Sequence, residues 1–185
     1  MKGPADDPMA ALRAATQRRP VAPGAFQQLG DALGELGRFD EAAEVFEAGL
    51  AEAPDAIILH IGLGYIHLRR NDRAAARHQF ETARTAAPQR RDAAVGLARV
   101  MALDGEFAAA ADLYREVLET QPGDWPRRIE LAKCLLELGQ RQDGEAMLRE
   151  AARAGGLGPA LKALAATPHG RFFLTRSAAA KFLGV

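Results

Sequence analysis

Cysteine is almost absent from this 185-residue chain, because Cys134 is the only one. A single cysteine excludes an internal disulfide framework and any metal site built from several thiolates. A surplus of charge is also lacking, since 24 basic residues balance 24 acidic ones. Proteins that bind nucleic acid normally carry a clear basic surplus that neutralises phosphates. The composition therefore argues against a nucleic-acid partner.

Long apolar runs are missing as well. No stretch approaches the roughly 20 apolar residues that a membrane-spanning helix needs, and the first 20 residues are polar with scattered alanines. A signal peptide would carry an apolar core in this region. We therefore expect a protein of the reducing cytoplasm that has no membrane contact. Arginine far outnumbers lysine and alanine is abundant, which is typical of a GC-rich bacterial genome.

Sequence motifs with a catalytic mechanism are not found either. The pair Gly62-x-Gly64 lacks the lysine, the hydroxyl residue and the preceding strand of a phosphate-binding loop. Ser177 is the only serine, so a serine-based triad would depend on a residue close to the C-terminus. We expect no enzymatic activity and no cofactor.

What the sequence does contain is an internal repeat of 34 residues. One column of this repeat is proline, at Pro20, Pro54, Pro88 and Pro122. Four more columns share the same register: Leu29, Leu63, Leu97, Leu131; Gly30, Gly64, Ala98, Ala132; Ala42, Ala76, Ala110, Gly144; and Phe46, Phe80, Tyr114, Leu148. Five columns in one register do not arise by chance. Apolar residues recur at three- and four-residue steps between them, which predicts two amphipathic helices in each repeat.

A turn between the two helices of each repeat is predicted where a further column holds glycine or asparagine. Its members are Gly37, Asn71, Gly105 and Gly139. A helix often ends with a residue in the left-handed region, where glycine is most favourable and asparagine next. The asparagine in a glycine column is therefore physically reasonable.

These columns resemble the tetratricopeptide repeat, whose pattern combines W-x2-L-G-x2-Y, A-x3-F and a final proline. In the first repeat the matching residues are Phe26, Leu29, Gly30, Ala42, Phe46 and Pro54. The resemblance implies an all-α fold, a right-handed superhelical solenoid of antiparallel helix pairs. It predicts an N-terminal capping helix within 1–21, four repeats at 22–55, 56–89, 90–123 and 124–156, and a C-terminal helical cap at 157–185. The fourth repeat is degenerate because Gly156 stands where proline is expected.

Both ends of such a solenoid need a cover, because each repeat buries only the faces that its neighbours contact. Residues 8–19 are predicted as the helix that covers the first repeat. At the other end we expect helices at 157–166 and 177–183. Four apolar residues of this segment either cover the last repeat or form a self-association surface: Phe172, Phe173, Phe182 and Leu183.

The resemblance also implies a function. In tetratricopeptide repeat proteins the first helices of successive repeats line a concave groove that holds a segment of a partner protein, so the chain is expected to be a non-catalytic adaptor or scaffold. The candidate groove residues are Gln27, Asp31, Ile58, Ile61, Tyr65, Arg69, Arg99, Ile129 and Lys133. Gly62 and Gly96 are expected to leave the groove floor open. An apolar centre with basic points suits a protein or peptide segment that combines apolar anchors with acidic residues.

Two histidines provide the remaining hypothesis. His60 and His67 are seven residues apart, so they share a helical face and suggest a metal-dependent activity. Both, however, occupy columns that hold packing residues in the repeat, and no carboxylate cluster accompanies them. The sequence therefore leaves three functions open, in this order: partner binding in the groove, self-association through the C-terminal cap, and a metal site.

Overall fold

The computed structural model describes residues 8–18, 20, 22–166 and 176–184. Within these ranges the chain forms eleven α-helices and no strand. The all-α class that the sequence predicts is therefore confirmed. The chain forms two compact units, residues 1–100 and 101–185. None of the described helices is long and apolar enough to cross a membrane.

The helices repeat with the predicted period. The first helices of the repeats are α2 (Pro23–Glu35), α4 (Ile57–Arg69), α6 (Arg91–Leu103) and α8 (Trp125–Glu137). The second helices are α3 (Phe39–Glu52), α5 (Arg73–Ala86), α7 (Phe107–Thr120) and α9 (Arg141–Ala151). Each of these sets starts anew every 34 residues, so the sequence period is confirmed at the level of whole helices.

The predicted turns within the repeats adopt the left-handed backbone. Asn71 has a φ of 60°, and the three glycines of the column have φ between 75° and 83°. Hydrogen bonds close each turn in the same way; the N–H of Arg38, for example, donates to the carbonyl of Leu33 at 2.9 Å. This bond satisfies a helix-end carbonyl that would otherwise lack a partner. The interpretation of this column as helix-ending residues is confirmed.

Proline decides where the second helices stop. Helices α3, α5 and α7 each end two residues before Pro54, Pro88 and Pro122, because a residue that precedes proline is disfavoured in the helical region. The fourth repeat has Gly156 at this position. There α9 runs directly into a π-helical segment, Ala152–Gly156, with a kink at Gly155 (φ 101°), and then into α10 (Leu157–Ala166).

The core of the first unit contains residues of α2, α3 and α4. Its fully buried members include Leu33, Phe46 and Leu59. Helix α1 (Pro8–Thr16) packs against α2 and places Met9 and Leu12 on this core. It ends before the predicted residue 19.

Two phenylalanine rings in the first unit lie against glycines of the first helices. The ring of Phe46 lies against Gly30 on α2 and Gly62 on α4; a Cβ atom at Gly30 would come within 2.5 Å of it. Phe80 lies in the same way against Gly64 and Gly96. The expectation that Gly62 and Gly96 leave a groove floor open is therefore wrong, because phenylalanine fills the space beside them.

The core of the second unit is covered by the C-terminal helix α11 (Arg176–Leu183). Leu183 is fully buried among Leu148, Leu164 and other apolar residues. The guanidinium of Arg149 lies 4.7 Å from the ring centre of Phe182, and its Nε donates to the Phe182 carbonyl at 3.3 Å. These contacts support the covering role for Phe182 and Leu183. The other two aromatic residues of the prediction, Phe172 and Phe173, lie outside the described residues.

Candidate partner-binding face

Each first helix carries three candidate positions that are four residues, about one helical turn, apart. We name them inner, middle and outer. The inner residues are Gln27, Ile61, Val95 and Ile129; the middle residues are Asp31, Tyr65, Arg99 and Lys133; the outer residues are Glu35, Arg69, Leu103 and Glu137. Exposure increases from the inner to the outer position. The position of a candidate residue along its helix therefore determines whether a partner can contact it.

The inner position belongs mostly to the core. Ile61 keeps 6% of its surface exposed and Ile129 keeps 5%, so these two predicted contacts offer a partner little area. Ile58 is half-buried against the core of the first unit. Gln27 is also half-buried. These residues pack mostly in the interior beneath the face and contribute little to its exposed surface.

Tyr65 at the middle position of α4 connects two repeats of the first unit. Its hydroxyl donates to the backbone carbonyl of Asp92 at 3.3 Å, and its ring contacts Phe80 edge to face, with centroids 5.0 Å apart. The Asp92 carboxylate accepts two hydrogen bonds from Arg90, at 2.6 and 3.1 Å. Burial alone would raise the pKa of Asp92, but the bonds from Arg90 lower it below its usual value. The hydrogen bond to the Asp92 carbonyl and the ring contact with Phe80 thus hold Tyr65 in a defined orientation.

Arg69 and Arg99 are the exposed basic candidates of the first unit. The guanidinium of Arg69 lies 4.9 Å from the ring centre of Phe39, a cation–π contact that holds the side chain. Arg99 on α6 is exposed. Neither forms an ion pair with any residue in the described part of the chain, whereas Arg38 and Arg90 are both paired with carboxylates. Sequence reasoning missed Phe39, because it precedes Arg69 by 30 residues and lies on a different helix.

Helix α2 presents charge of the opposite sign. Asp31 and Glu35 lie one turn apart on its exposed side, and no cation pairs with either of them within the described ranges. Partial burial, and next the charge of Glu35, raise the pKa of Asp31 above its ordinary value; a hydrogen bond with Gln27 opposes this shift. Within the described ranges, two carboxylates one helical turn apart on α2 are therefore left without an ion-pair partner.

The equivalent helix of the second unit has a different character. The Nζ of Lys133 donates to Glu130 on the same helix at 2.8 Å, and both side chains are about 40% exposed. Cys134 beside it is buried, and this burial raises the pKa of its thiol to about 11. A neutral buried thiol fits its interpretation as a small apolar residue. Of the predicted basic points, Lys133 is the one that is already paired.

The two histidines of the metal hypothesis have separate structural roles. His60 places Nδ1 2.7 Å from the amide oxygen of Gln79 and Nε2 2.9 Å from the carbonyl of Pro54, so both ring nitrogens face protein oxygens. His67 is buried, and burial lowers its pKa. Among the residues that the structure describes, no three histidine, cysteine or acidic side chains are grouped for a metal ion. The geometry gives this hypothesis no support.

Three family models match consecutive stretches of the sequence. Each describes a tetratricopeptide repeat, and they match residues 23–66, 61–124 and 101–167. No curated protein shows significant sequence similarity to the chain.

Solved structures share the fold at low sequence identity. YrrB, a tetratricopeptide repeat protein with an unusual peptide-binding site, aligns with a TM-score of 0.70 and 16% identity over 83% of this chain and 78% of its own. MamA from Desulfovibrio magneticus RS-1 aligns with 0.70 and 18% over 82% and 87%. TTC0263 from Thermus thermophilus aligns with 0.70 and 18% over 84% and 88%. These likenesses establish the helical-repeat architecture.

Proposed function

Because the chain belongs to the tetratricopeptide repeat family, we propose that it binds a segment of another protein along its first helices. The proposed site is the first-helix face of the first unit, which we define by its exposed or half-exposed residues. These are Asp31, Glu35, Tyr65, Arg69 and Arg99. In this role the protein is an adaptor or scaffold and needs neither catalysis nor a cofactor.

The observation that carries the proposal is a pair of arginines that form no ion pair with the residues the structure describes. Arg69 is held over Phe39 at 4.9 Å, and Arg99 is exposed on the neighbouring first helix. A guanidinium carries a fixed charge and binds carboxylates through two parallel hydrogen bonds. Tyr65 beside them adds an aromatic surface that hydrogen bonding and ring packing hold in place. Tyrosine and arginine are the residue types that dominate the binding energy of protein interfaces.

One solved structure of the same fold supports this kind of ligand. YrrB, whose structure aligns with this chain, has a peptide-binding site. Our proposal for the present chain is of the same general class, since an extended or helical peptide fits a row of parallel helices. The residues that would contact it here are argued from this chain alone.

Affinity capture with matched variants tests the proposal. The full-length protein and its Arg99→Glu variant are used as bait in a lysate of the source organism, together with Arg115→Glu as a control of equal charge change. Arg115 is exposed on α7, a second helix of the second unit, and pairs with Asp112 at 2.6 Å. We expect a protein that wild type and Arg115→Glu capture equally and that Arg99→Glu loses by tenfold or more, roughly 1.4 kcal/mol. Circular dichroism checks that both variants keep their helices.

Equal capture by all three proteins would contradict the proposal. In that case the partner would bind a surface other than the first-helix face. A Tyr65→Ala variant provides a second probe of the same face, although its packing on Phe80 means that its melting temperature has to be compared with wild type first.

A further inference from the structure

The first-helix face carries negative charge on one portion and positive charge on another. Its α2 portion carries the carboxylates of Asp31 and Glu35, and its α4 and α6 portions carry the guanidinium groups of Arg69 and Arg99. None of the four forms an ion pair with another residue that the structure describes. Helix α4 is a neighbour of both α2 and α6. It packs against α2, and the hydroxyl of its Tyr65 donates a hydrogen bond to the Asp92 carbonyl of α6. Tyr65 thus lies on the helix between α2 and the helix of Arg99.

The acidic portion places two like charges on one face of α2. Like charges four residues apart on a helix repel each other; partial burial, and next the charge of Glu35, raise the pKa of Asp31. Two other carboxylates of the first unit do have cation partners: Glu41 pairs with Arg38 at 2.5 Å and Asp40 with Arg70 at 3.2 Å. Asp31 and Glu35 have no such partner among the described residues, so a cation from outside the chain can pair with them.

We propose that the bound segment is bipolar, with a basic end on Asp31 and Glu35, an acidic end on Arg69 and Arg99, and an apolar residue on Tyr65. This inference rests on the proposed function and adds the order in which basic and acidic residues follow each other along the bound segment. A uniformly acidic segment would be attracted by the arginines but repelled by α2. Like charges brought together at an interface favour the discrimination of partners.

The size of the site defines a suitable probe. Packed helices lie about 8–10 Å apart, so the distance from α2 to α6 is roughly 20 Å. About six extended residues cover that distance. A twelve-residue peptide with three charged residues at each end and six randomised apolar positions between them is therefore long enough to contact both portions.

Four pools of such fluorescent peptides test the charge order by anisotropy with the full chain. Two pools are bipolar, with lysines first and glutamates last or the reverse; one pool has glutamates at both ends and one has lysines at both ends. We expect wild type to bind one bipolar pool at least about tenfold more tightly than either like-charged pool. In a variant with the charges inverted, the preference should move to the other bipolar pool. That variant combines Asp31→Lys, Glu35→Lys, Arg69→Glu and Arg99→Glu.

If the variant with all four substitutions does not fold, a variant with two milder substitutions still tests the charge order. Asp31→Asn with Glu35→Gln removes the repulsion from α2, so the pool with glutamates at both ends should then bind as well as the bipolar pool. Binding without any preference, or best binding of the doubly acidic pool by wild type, overturns the bipolar segment while the proposed function stands. No binding of any pool by wild type overturns both.

Discussion

Two phenylalanines determine which small residues the first helices of the first unit can carry. Phe46 lies against Gly30 and Gly62, and Phe80 lies against Gly64 and Gly96. Glycine is costly within a helix, so its presence at these positions needs a packing reason. The reason here is the approach of a ring to the helix backbone, where a Cβ atom has no space.

Gly62→Ala should therefore destabilise the protein, although alanine is the better helix former. The added methyl group overlaps the ring of Phe46, and overpacking of this kind costs about 1–3 kcal/mol. Gly24→Ala is the matched control, because nothing lies within 4 Å of its Cβ position. Urea unfolding followed by circular dichroism compares the two. A Gly62→Ala variant as stable as Gly24→Ala would contradict the packing that we describe.

His67 is a buried ionisable residue in a column that normally holds an aromatic residue. No described residue forms a hydrogen bond with its buried Nδ1, and burial lowers its pKa from the ordinary 6.5. Asp72 and Glu47 oppose the shift, while Arg70 adds to it. The neutral form is therefore the form that the fold accepts.

This burial predicts a loss of stability in mild acid. The unfolded chain binds a proton at His67 more readily than the folded chain does, so the free energy of unfolding should fall as pH drops below about 6.5. A His67→Phe variant should lose this part of the pH dependence between pH 7.5 and 5, whereas His78→Phe, at an exposed position, should keep it. Identical pH profiles for wild type and His67→Phe would show that His67 does not titrate on unfolding.

At the scale of elements, the C-terminal helix α11 is an integral part of the second unit. Leu183 has no exposed surface and packs in the same cluster as Leu148, Leu164 and Ala160. The kink at Gly155 leads from α9 into α10, and α11 contacts both α9 and α10. A repeat buries only the faces that its neighbours contact, and here α11 supplies contacts to the last repeat.

Leu183→Ala should consequently destabilise the second unit by about 2–5 kcal/mol, the usual cost of emptying a leucine site in a core. Lys181→Ala on the same helix changes an exposed residue and should stay within about 0.5 kcal/mol of wild type. Urea unfolding distinguishes the two variants. A negligible effect of Leu183→Ala would mean that α11 does not cover the core in solution.

The sequence predicts helices and turns well because their signals are local. Glycine and asparagine in one column mark the left-handed turns, and proline marks the ends of second helices. The burial of Ile61 and the contact of Arg69 with Phe39 could not be predicted in the same way. Both depend on how closely adjacent helices approach, and a sequence period gives no measure of that distance. The same limitation led to the wrong expectation about Gly62, since the phenylalanine that fills the space lies on another helix.

At the scale of the molecule, a net charge of zero conceals a local separation of charge. The first-helix face of the first unit holds two carboxylates on α2 and two arginines on α4 and α6, while Lys133 in the second unit is already paired with Glu130. Net charge describes solubility and nonspecific binding, whereas local complementarity selects a partner. The family membership indicates the general class of function, and this arrangement of charges is the basis of the charge order that we propose for the bound segment.

The central claim is that a partner lies on the first-helix face, and site-directed cross-linking tests it most directly. Cys134 is buried with a raised pKa, so a benzophenone maleimide can be placed on a new cysteine at Glu35→Cys, or at His78→Cys on α5 as the control. We predict that irradiation in a lysate of the source organism links a protein to position 35 and none to position 78, and that adding Arg99→Glu abolishes the adduct. An adduct at position 78 alone, or one at position 35 that Arg99→Glu leaves unchanged, would contradict the account.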